Sequence, residues 1–146
     1  MSLSLVRGVS RAVLRYQADT AADAATAWAL LARPDRWSDW APHVRGAWGL
    51  GEPEVREGAR GAARLLGVVP VPARITAVEA GRSWTWDVGG ILMDHVVEPL
   101  ERGAVVAVQL RAPAPVEALL ARTYGPVVAL LVRRLARVAE RPSAGR

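Results

Sequence analysis

The N-terminal part of the chain alternates between apolar and mostly polar positions, as a half-buried strand does. Ala12, Leu14, Tyr16 and Ala18 occupy every second position. This alternation predicts a first strand over residues 8 to 18. The segment from residue 1 to residue 17 holds three arginines and no acidic residue, as transit peptides do, but the alternation favours the strand.

A short helix is predicted next. Thr20–Asp23 resembles a capping box, in which side-chain oxygens accept hydrogen bonds from the free amides of the first helical turn. The helix extends from Ala24 to about Ala32 with Trp28 on its apolar face, and Pro34 ends it. Residues 35–42 are too few and too polar for a long helix, and we expect one irregular helical turn there.

From residue 44 to residue 111 the pattern is that of strands separated by glycine- and proline-containing turns. Gly89 and Gly90 give the strongest hairpin signal among these turns. The predicted strands cover residues 44–50, 58–66, 70–78, 83–88, 91–99 and 104–110. Six consecutive strands with short connections form an antiparallel meander, because parallel strands need long crossover connections. A Rossmann-type sheet is therefore excluded.

The last predicted element is a helix from about Pro115 to Glu140. Apolar residues recur at intervals of three or four and define one stripe. The stripe consists of Leu120, Tyr124, Val127, Leu131, Leu135 and Val138. Arg122, Ala129, Arg133 and Arg137 fall on the opposite face. Gly125 and Pro126 interrupt the helix, and we expect a kink at that point.

The order of these elements predicts an α+β fold. A curved seven-stranded antiparallel sheet would wrap around the long C-terminal helix, with one or two short helices after the first strand. The 146 residues are enough for one domain, with an ordered core from about residue 8 to residue 140. A sheet curved in this way encloses a space under the helix, and we expect a cavity for a small hydrophobic molecule there.

The composition limits the kinds of site that the chain is expected to contain. The chain has no cysteine and only two histidines, His43 and His95, so neither a disulfide framework nor a metal centre is expected, and no cofactor is predicted. The apolar run over residues 127–132 is far shorter than the roughly 20 residues that a membrane-spanning helix needs. We therefore expect a cytoplasmic protein without integral membrane association.

The net charge of +5 comes entirely from the C-terminal quarter of the chain. Residues 1–110 contain twelve arginines and twelve acidic residues, whereas residues 111–146 contain seven arginines and two glutamates. Every basic residue is arginine, which indicates a GC-rich genome more than selection for phosphate binding. Because no aromatic residues interleave with the arginines, nucleic-acid binding is not expected. A weak attraction to anionic membrane surfaces remains open.

The arrangement resembles the START-like superfamily, also called the SRPBCC or Bet v 1-like helix-grip fold, and within it the bacterial polyketide cyclase/dehydrase-like proteins. The resemblance extends over residues 8 to 140. It is carried by the helix around Trp28 and by the segments at residues 36–42, 73–79, 82–86, 95–99 and 135–140. It implies binding of lipids, sterols, polyketides or hormones in the cavity, with cyclisation or dehydration in a minority of members. The superfamily has no shared catalytic constellation.

Two residues are candidates for catalysis. Ile91, Met93, His95 and Val97 share the more apolar face of the sixth strand, which we expect to face the cavity. There His95 would bond to a ligand or act as a general base; alternatively, it is a core histidine that bonds to Tyr124 or to a backbone carbonyl. Tyr124 lies on the helical stripe beside the expected kink, and its hydroxyl would reach the cavity unless it is simply packed at the rim.

Tryptophan and arginine supply the other candidates. Trp84 and Trp86 share a face of the fifth strand, and Trp37 and Trp40 would lie at the cavity mouth, although some of the six tryptophans are expected to be ordinary core residues. An inward-facing arginine would bind a carboxylate or enolate, but the pattern does not decide which face Arg64 and Arg74 occupy. The predicted ligand-binding residues are Trp37, Trp40, Arg74, Trp84, Trp86, Met93, His95 and Tyr124.

Three functions are compatible with these features. The first is a binding protein for a lipid, polyketide or other aromatic or isoprenoid-type molecule. The second is a polyketide cyclase, aromatase or dehydratase that acts on a molecule in the same cavity. The third is a protein-interaction module with a collapsed cavity. The absence of a convergent set of acidic and basic residues favours the first, and whether the chain is a monomer or a homodimer is left open.

Overall fold

The computed structural model describes residues 11–42, 44–65 and 69–141. Within them the chain forms one sheet and three α-helices. The strands are β1 (Arg11–Thr20), β2 (Val44–Trp48), β3 (Arg60–Leu65), β4 (Val69–Glu79), β5 (Ser83–Val88), β6 (Ile91–Pro99) and β7 (Ala104–Pro113). The helices are α1 (Ala24–Ala32), α2 (Ala114–Thr123) and α3 (Gly125–Ala139), and a 3-10 helix (Pro34–Asp39) follows α1. The predicted α+β fold is confirmed, and the part of the first strand predicted at residues 8–10 lies outside the described residues.

The sheet is antiparallel throughout, with the strand order β1-β7-β6-β5-β4-β3-β2. The predicted meander is confirmed, since β2 to β7 are neighbours in chain order and β1 returns to pair with β7. The register shifts between Val44 and Gly46, and again between Ile75 and Ala77. Such irregularities bend strands and increase their twist, and they help to curve the sheet into a grip.

The fourth strand, predicted at residues 70–78, extends over Val69–Glu79 and includes two prolines. Pro70 and Pro72 pair with β3, whereas the pairing with β5 begins only at Arg74. Where the prolines lie, no β5 residue pairs with β4, so no neighbour on that side needs a hydrogen bond from the amide that proline lacks. Proline is tolerated in strands at such edge positions.

Helix α1 begins at Ala24, as predicted, but the first residue of the predicted capping box, Thr20, does not cap it. Asp23 is the N-cap, and its side chain accepts a hydrogen bond of 2.8 Å from the Thr26 amide. Thr20 instead ends β1, where its hydroxyl donates to the Ala136 carbonyl of α3 at 2.8 Å. Thr20 therefore ties the first strand to the last helix.

The predicted C-terminal helix is divided into two helices that meet at an angle of 62°. The position of the break at Gly125 and Pro126 is as predicted, but the break is larger than a kink within one helix. Gly125 packs against the hydroxyl of Tyr16 on β1, and a side-chain carbon at this position would collide with it. Pro126 lies in the first turn of α3, where its missing amide proton is not needed. We call residues 114–130 the elbow.

The predicted apolar stripe of the last helix faces the sheet, although its burial is uneven. Leu135 and Val138 are buried, whereas Val127 is 41% exposed. Val128 and Val132, which do not belong to the predicted stripe, are buried as well. Helix α2 has no buried residue, while the second half of α3 closes the core.

No single helix among the described residues is long and apolar enough to span a membrane, and the pair α2 and α3 meets that length and composition criterion only across its 62° bend.

Candidate ligand-binding cavity

A cavity of about 610 Å³ lies between the concave face of the sheet and the two C-terminal helices. This volume is within the range of small-molecule sites. Its wall consists of aliphatic and aromatic side chains, with His95 and Tyr124 as the residues able to form polar contacts. The lining residues are Trp37, Trp40, Ala41, Pro42, Val44, Trp84, Trp86, Val88, Ile91, Met93, His95, Val108, Leu110, Leu120, Tyr124, Val127, Val128, Leu131 and Val132.

The cavity opens beside the elbow. Of its lining residues, Val88 and Ile91 at the β5–β6 hairpin are only partly buried, as are Leu120 and Tyr124 at the elbow. Val127 both lines the cavity and is exposed to solvent. The mouth therefore lies between the elbow and the β5–β6 hairpin.

One end of the cavity is walled by a cluster of aromatic rings. Trp37 stacks on Trp84 with a centroid separation of 5.4 Å and an interplanar angle of 11°. His95 stacks on Trp84 at 3.7 Å and 6°. Trp86 meets all three rings edge-on, at centroid distances between 5.4 and 5.8 Å. Such edge-to-face and stacked pairs are favourable beyond the area that they bury, so the rings hold one another in place.

The indole N–H groups of this wall point away from the cavity. Trp37 and Trp84 both donate to the Leu31 carbonyl, at 2.9 and 3.0 Å, and Trp40 donates to the Leu30 carbonyl at 2.9 Å. These carbonyls belong to the last turn of α1, where they lack partners within the helix. The tryptophans therefore cap α1 with their N–H groups and leave their ring faces to the cavity.

Trp86 is bonded within the wall in a different way. Its indole N–H lies 3.3 Å from the sulfur of Met93 on the neighbouring strand. All four lining tryptophans thus use their N–H donors within the protein. A ligand would therefore meet the faces of these rings and not their N–H groups.

His95 is buried, and its ring nitrogen Nδ1 lies 3.3 Å from the carbonyl oxygen of Trp84. A carbonyl only accepts, so Nδ1 carries the proton, and Nε2 of the neutral ring is an acceptor. Burial lowers the pKa of His95 from 6.5 to about 4, although the Trp84 carbonyl and the charge of Asp94 oppose this effect. The ring is therefore neutral near pH 7. For Nδ1, the alternative in which His95 is a core histidine bonded to a backbone carbonyl is therefore correct.

Tyr124 connects α2 to α3 and lines the cavity, as predicted. Burial raises its pKa, so the hydroxyl keeps its proton at neutral pH. The hydroxyl has no hydrogen-bond partner among residues 11–42, 44–65 and 69–141. Of the two partners considered for a core His95, the ring bonds to the backbone carbonyl of Trp84 and not to Tyr124.

Arg74 does not line the cavity, contrary to the prediction. It is exposed on the outer face of the sheet, where its guanidinium lies 3.8 Å from the carboxylate of Asp87. Its neighbours Ala73 and Ile75 are the buried ones, so strand alternation turns Arg74 outward. Arg64 is also exposed and lies over the Trp48 ring, 5.8 Å from the centroid.

The outer face of the sheet carries the charges that the cavity lacks. Arg111 forms a bidentate ion pair with Asp94, with N–O distances of 2.8 and 2.9 Å. Thr85 donates to the same carboxylate at 2.6 Å. Asp94 alternates with Met93 and His95 along β6, and its outward direction confirms the predicted assignment of faces.

The structure thus places seven of the eight predicted ligand-binding residues in one cavity wall, and their contact with a ligand stays a prediction. Several wall residues were not identified from the sequence: Ala41, Pro42, Val44, Val88, Val108, Leu110, Val128 and Val132. Alternation along β7 could have indicated Val108 and Leu110, since both are buried on the face that pairs beside His95 and Met93. The others depend on tertiary packing.

Fold and cavity together define a helix-grip protein of the START-like superfamily, which confirms the resemblance noted in the sequence. The family model described as polyketide cyclase/dehydrase and lipid transport matches residues 11–140, and the chain belongs to this family. No curated protein matches the chain significantly.

Solved structures share the fold at low sequence identity. A Bacillus halodurans protein has a TM-score of 0.67 at 14% identity, over 88% of this chain and 97% of that one. A polyketide cyclase-like protein from Corynebacterium glutamicum has a TM-score of 0.52 at 21% identity, over 86% and 82% of the two chains. A point mutant of norcoclaurine synthase from Thalictrum flavum, in complex with a transition-state analogue, has a TM-score of 0.61 at 13% identity, over 92% and 97%. These similarities show the fold.

Proposed function

We propose that this protein binds one small, uncharged hydrophobic molecule in the cavity between sheet and elbow. The observation that carries the proposal is the composition of the wall, in which no residue bears a charge at neutral pH. Burying apolar surface of a ligand there is favourable by about 25 cal/mol per Å². The family description, which includes lipid transport, agrees with this function.

The same wall selects against charged ligands. An ionised carboxylate would lose its hydration without gaining a cationic partner, because no arginine of the described residues lines the cavity. We therefore expect esters, alcohols, phenols or polyketide-like ketones to bind in preference to free fatty acids at neutral pH.

The two polar side chains favour a ligand with a hydroxyl group. Nε2 of His95 accepts a hydrogen bond, so it suits a ligand O–H donor. The Tyr124 hydroxyl is able to donate to a ligand oxygen or to accept from one. A wall that is otherwise apolar uses such isolated groups to orient a molecule.

The enzymatic alternative is less well supported by the same residues. A general base works best when its pKa is near the working pH, and burial holds the pKa of His95 at about 4. The neutral ring is therefore a weak base, although it is an adequate hydrogen-bond acceptor. A cyclase or dehydratase would need this pKa to rise when substrate binds, and no carboxylate among the lining residues would raise it.

Native mass spectrometry of the freshly purified chain, followed by solvent extraction and identification of what is released, tests the proposal. The chain offers a matched pair of variants on β6. Met93→Glu places a charge in the cavity wall, whereas Leu92→Glu, at the preceding position of the strand, places it on the outer face of the sheet. Because a buried glutamate could prevent folding, Leu131→Trp supplies a second variant that fills the cavity without charge.

We expect a stoichiometric adduct on the wild type and on Leu92→Glu, and its loss from Met93→Glu and Leu131→Trp. A panel of uncharged hydrophobic compounds and the matching carboxylic acids then defines the ligand class. If the chain shows no mass shift with any compound, or if Leu131→Trp binds as well as wild type, the proposed site is wrong. Turnover of a polyketide-like compound, lost in His95→Gln, would instead support the enzyme.

A further inference from the structure

The outward face of the elbow exposes a group of large aliphatic side chains. Leu119 is 61% exposed and Leu130 is 54% exposed, and Val116 and Val127 are exposed beside them. Helix α2 has no buried residue at all. Exposed leucine and valine side chains concentrated on one short segment are typical of an interaction surface. We call these four residues the elbow patch.

Arginines continue the same helical faces. On α2, Leu119 and Arg122 are three positions apart, and on α3, Leu130, Arg133 and Arg137 are spaced by three and four. All three arginines are exposed. Within the described part of the chain, none of them is in an ion pair. Their charges are thus available to a partner.

The acidic residues of this region are directed elsewhere. Glu117 is two positions from Leu119, which places it on the opposite side of α2, and it is only partly exposed. Glu140 accepts hydrogen bonds from the Ala21 amide at 2.7 Å and from the Thr20 hydroxyl at 3.5 Å. The outward face therefore combines apolar and positively charged side chains without a negative charge.

We propose that the elbow patch docks on the surface of an anionic lipid bilayer, with Arg122, Arg133 and Arg137 at the headgroups. Helices that combine exposed apolar side chains with basic residues bind such interfaces. A second copy of the chain is a poorer partner, because a two-fold contact through this face would bring the same arginines together. The 62° bend lets both helices lie in the plane of the interface.

Docking of the elbow would bring the cavity mouth to the bilayer, because the two share residues. Val127 belongs both to the elbow patch and to the cavity wall, and Leu120 and Tyr124 line the cavity from the same segment. A docked elbow therefore places the mouth at the hydrocarbon boundary. A hydrophobic molecule would then pass between bilayer and cavity without crossing water.

Flotation of the full chain with vesicles, with no cavity ligand added, tests the docking separately from ligand binding. Phosphatidylcholine vesicles are compared with vesicles containing about one third phosphatidylglycerol. Leu119→Asp and Leu130→Asp remove patch residues, and Leu100→Asp, at a similarly exposed leucine in the β6–β7 turn, is the matched control. Arg133→Gln with Arg137→Gln is compared with Arg82→Gln and Arg102→Gln, at exposed arginines in the turns at the other end of the sheet.

The wild type is expected to float with the anionic vesicles and much less with phosphatidylcholine. Each aspartate in the patch should lower the partition coefficient by about tenfold or more, and the Arg133 and Arg137 pair of substitutions by roughly 25-fold. Raised salt should weaken the binding of wild type. All of the control variants should bind as the wild type does.

Three results would overturn the proposal. The first is an absence of binding to either vesicle, and the second is equal loss in the control variants. The third is a dimer in solution that dissociates on Leu119→Asp, because the patch would then cover a second copy. Since every substituted side chain is exposed, circular dichroism and melting of each variant should match those of the wild type.

Discussion

The neutral state of His95 gives the sharpest test of the structure. The ring is buried against Trp84, and burial lowers the pKa from 6.5 to about 4. In the unfolded chain the same histidine binds its proton near pH 6.5. Between these values the unfolded state holds the proton and the folded state does not, so acidification favours unfolding.

The size of the effect follows from the two pKa values. At about 1.4 kcal/mol per pH unit, the difference corresponds to about 3 kcal/mol of folding free energy. This stability is fully present above pH 6.5, falls as the pH drops, and is lost below about pH 4. Between about pH 7.5 and about pH 5, the share due to His95 is about 2 kcal/mol.

Denaturant unfolding over this pH range measures the effect. His95→Gln is the reference, because glutamine stays uncharged and keeps an amide donor for the Trp84 carbonyl. On acidification to about pH 5, the free energy of unfolding of the wild type should fall by about 2 kcal/mol more than that of the variant. The comparison removes the contribution of the carboxylates, because both proteins contain them. Parallel stability curves for the two proteins would refute the buried neutral ring. Nitrogen NMR shifts should show the proton on Nδ1.

Three further predictions concern the elbow and the aromatic wall. Gly125→Ala should destabilise the fold by about 1–3 kcal/mol because the new carbon meets the Tyr16 hydroxyl, whereas Gly46→Ala, with open space around it, should cost less than about 1 kcal/mol in the same melting experiment. Tyr124→Phe should leave the melting temperature nearly unchanged but weaken a hydroxyl- or carbonyl-bearing ligand by up to about tenfold in a titration, and equal affinity would mean that the hydroxyl is not used. Trp40→Phe should lower the unfolding free energy by at least about 1 kcal/mol by leaving the Leu30 carbonyl without its donor, and an unchanged denaturation midpoint would contradict that bond.

The sheet was predictable because its turns are local. Gly89 and Gly90 both have positive φ, a conformation that glycine adopts without strain, and they form the hairpin that the sequence indicates. The break at Gly125 was predictable for the same reason, but its angle was not. At the break Gly125 lies against Tyr16, which is more than a hundred positions away in the chain, and no local pattern indicates that contact.

The faces of two strands show where alternation succeeds and fails. Along β6 the pattern is uninterrupted, and Met93 and His95 point into the cavity while Asp94 points outward. Along β4 the register shifts between Ile75 and Ala77. Such a shift reverses which residues face inward, so the alternation before the shift does not predict which residues face inward after it. The position of Arg74 on the outer face required the paired sheet.

The tryptophans explain how a cavity of this size persists in a small domain. Protein interiors normally pack without large voids, and side chains around an empty space tend to collapse into it. Here Trp37, Trp40 and Trp84 are held by bonds to the last turn of α1, and Trp37 also stacks on Trp84. These contacts keep the rings from moving inward, and they use the polar atom of each ring. Because the wall then recognises a ligand mainly by shape, specificity depends on the two remaining polar groups, His95 Nε2 and the Tyr124 hydroxyl.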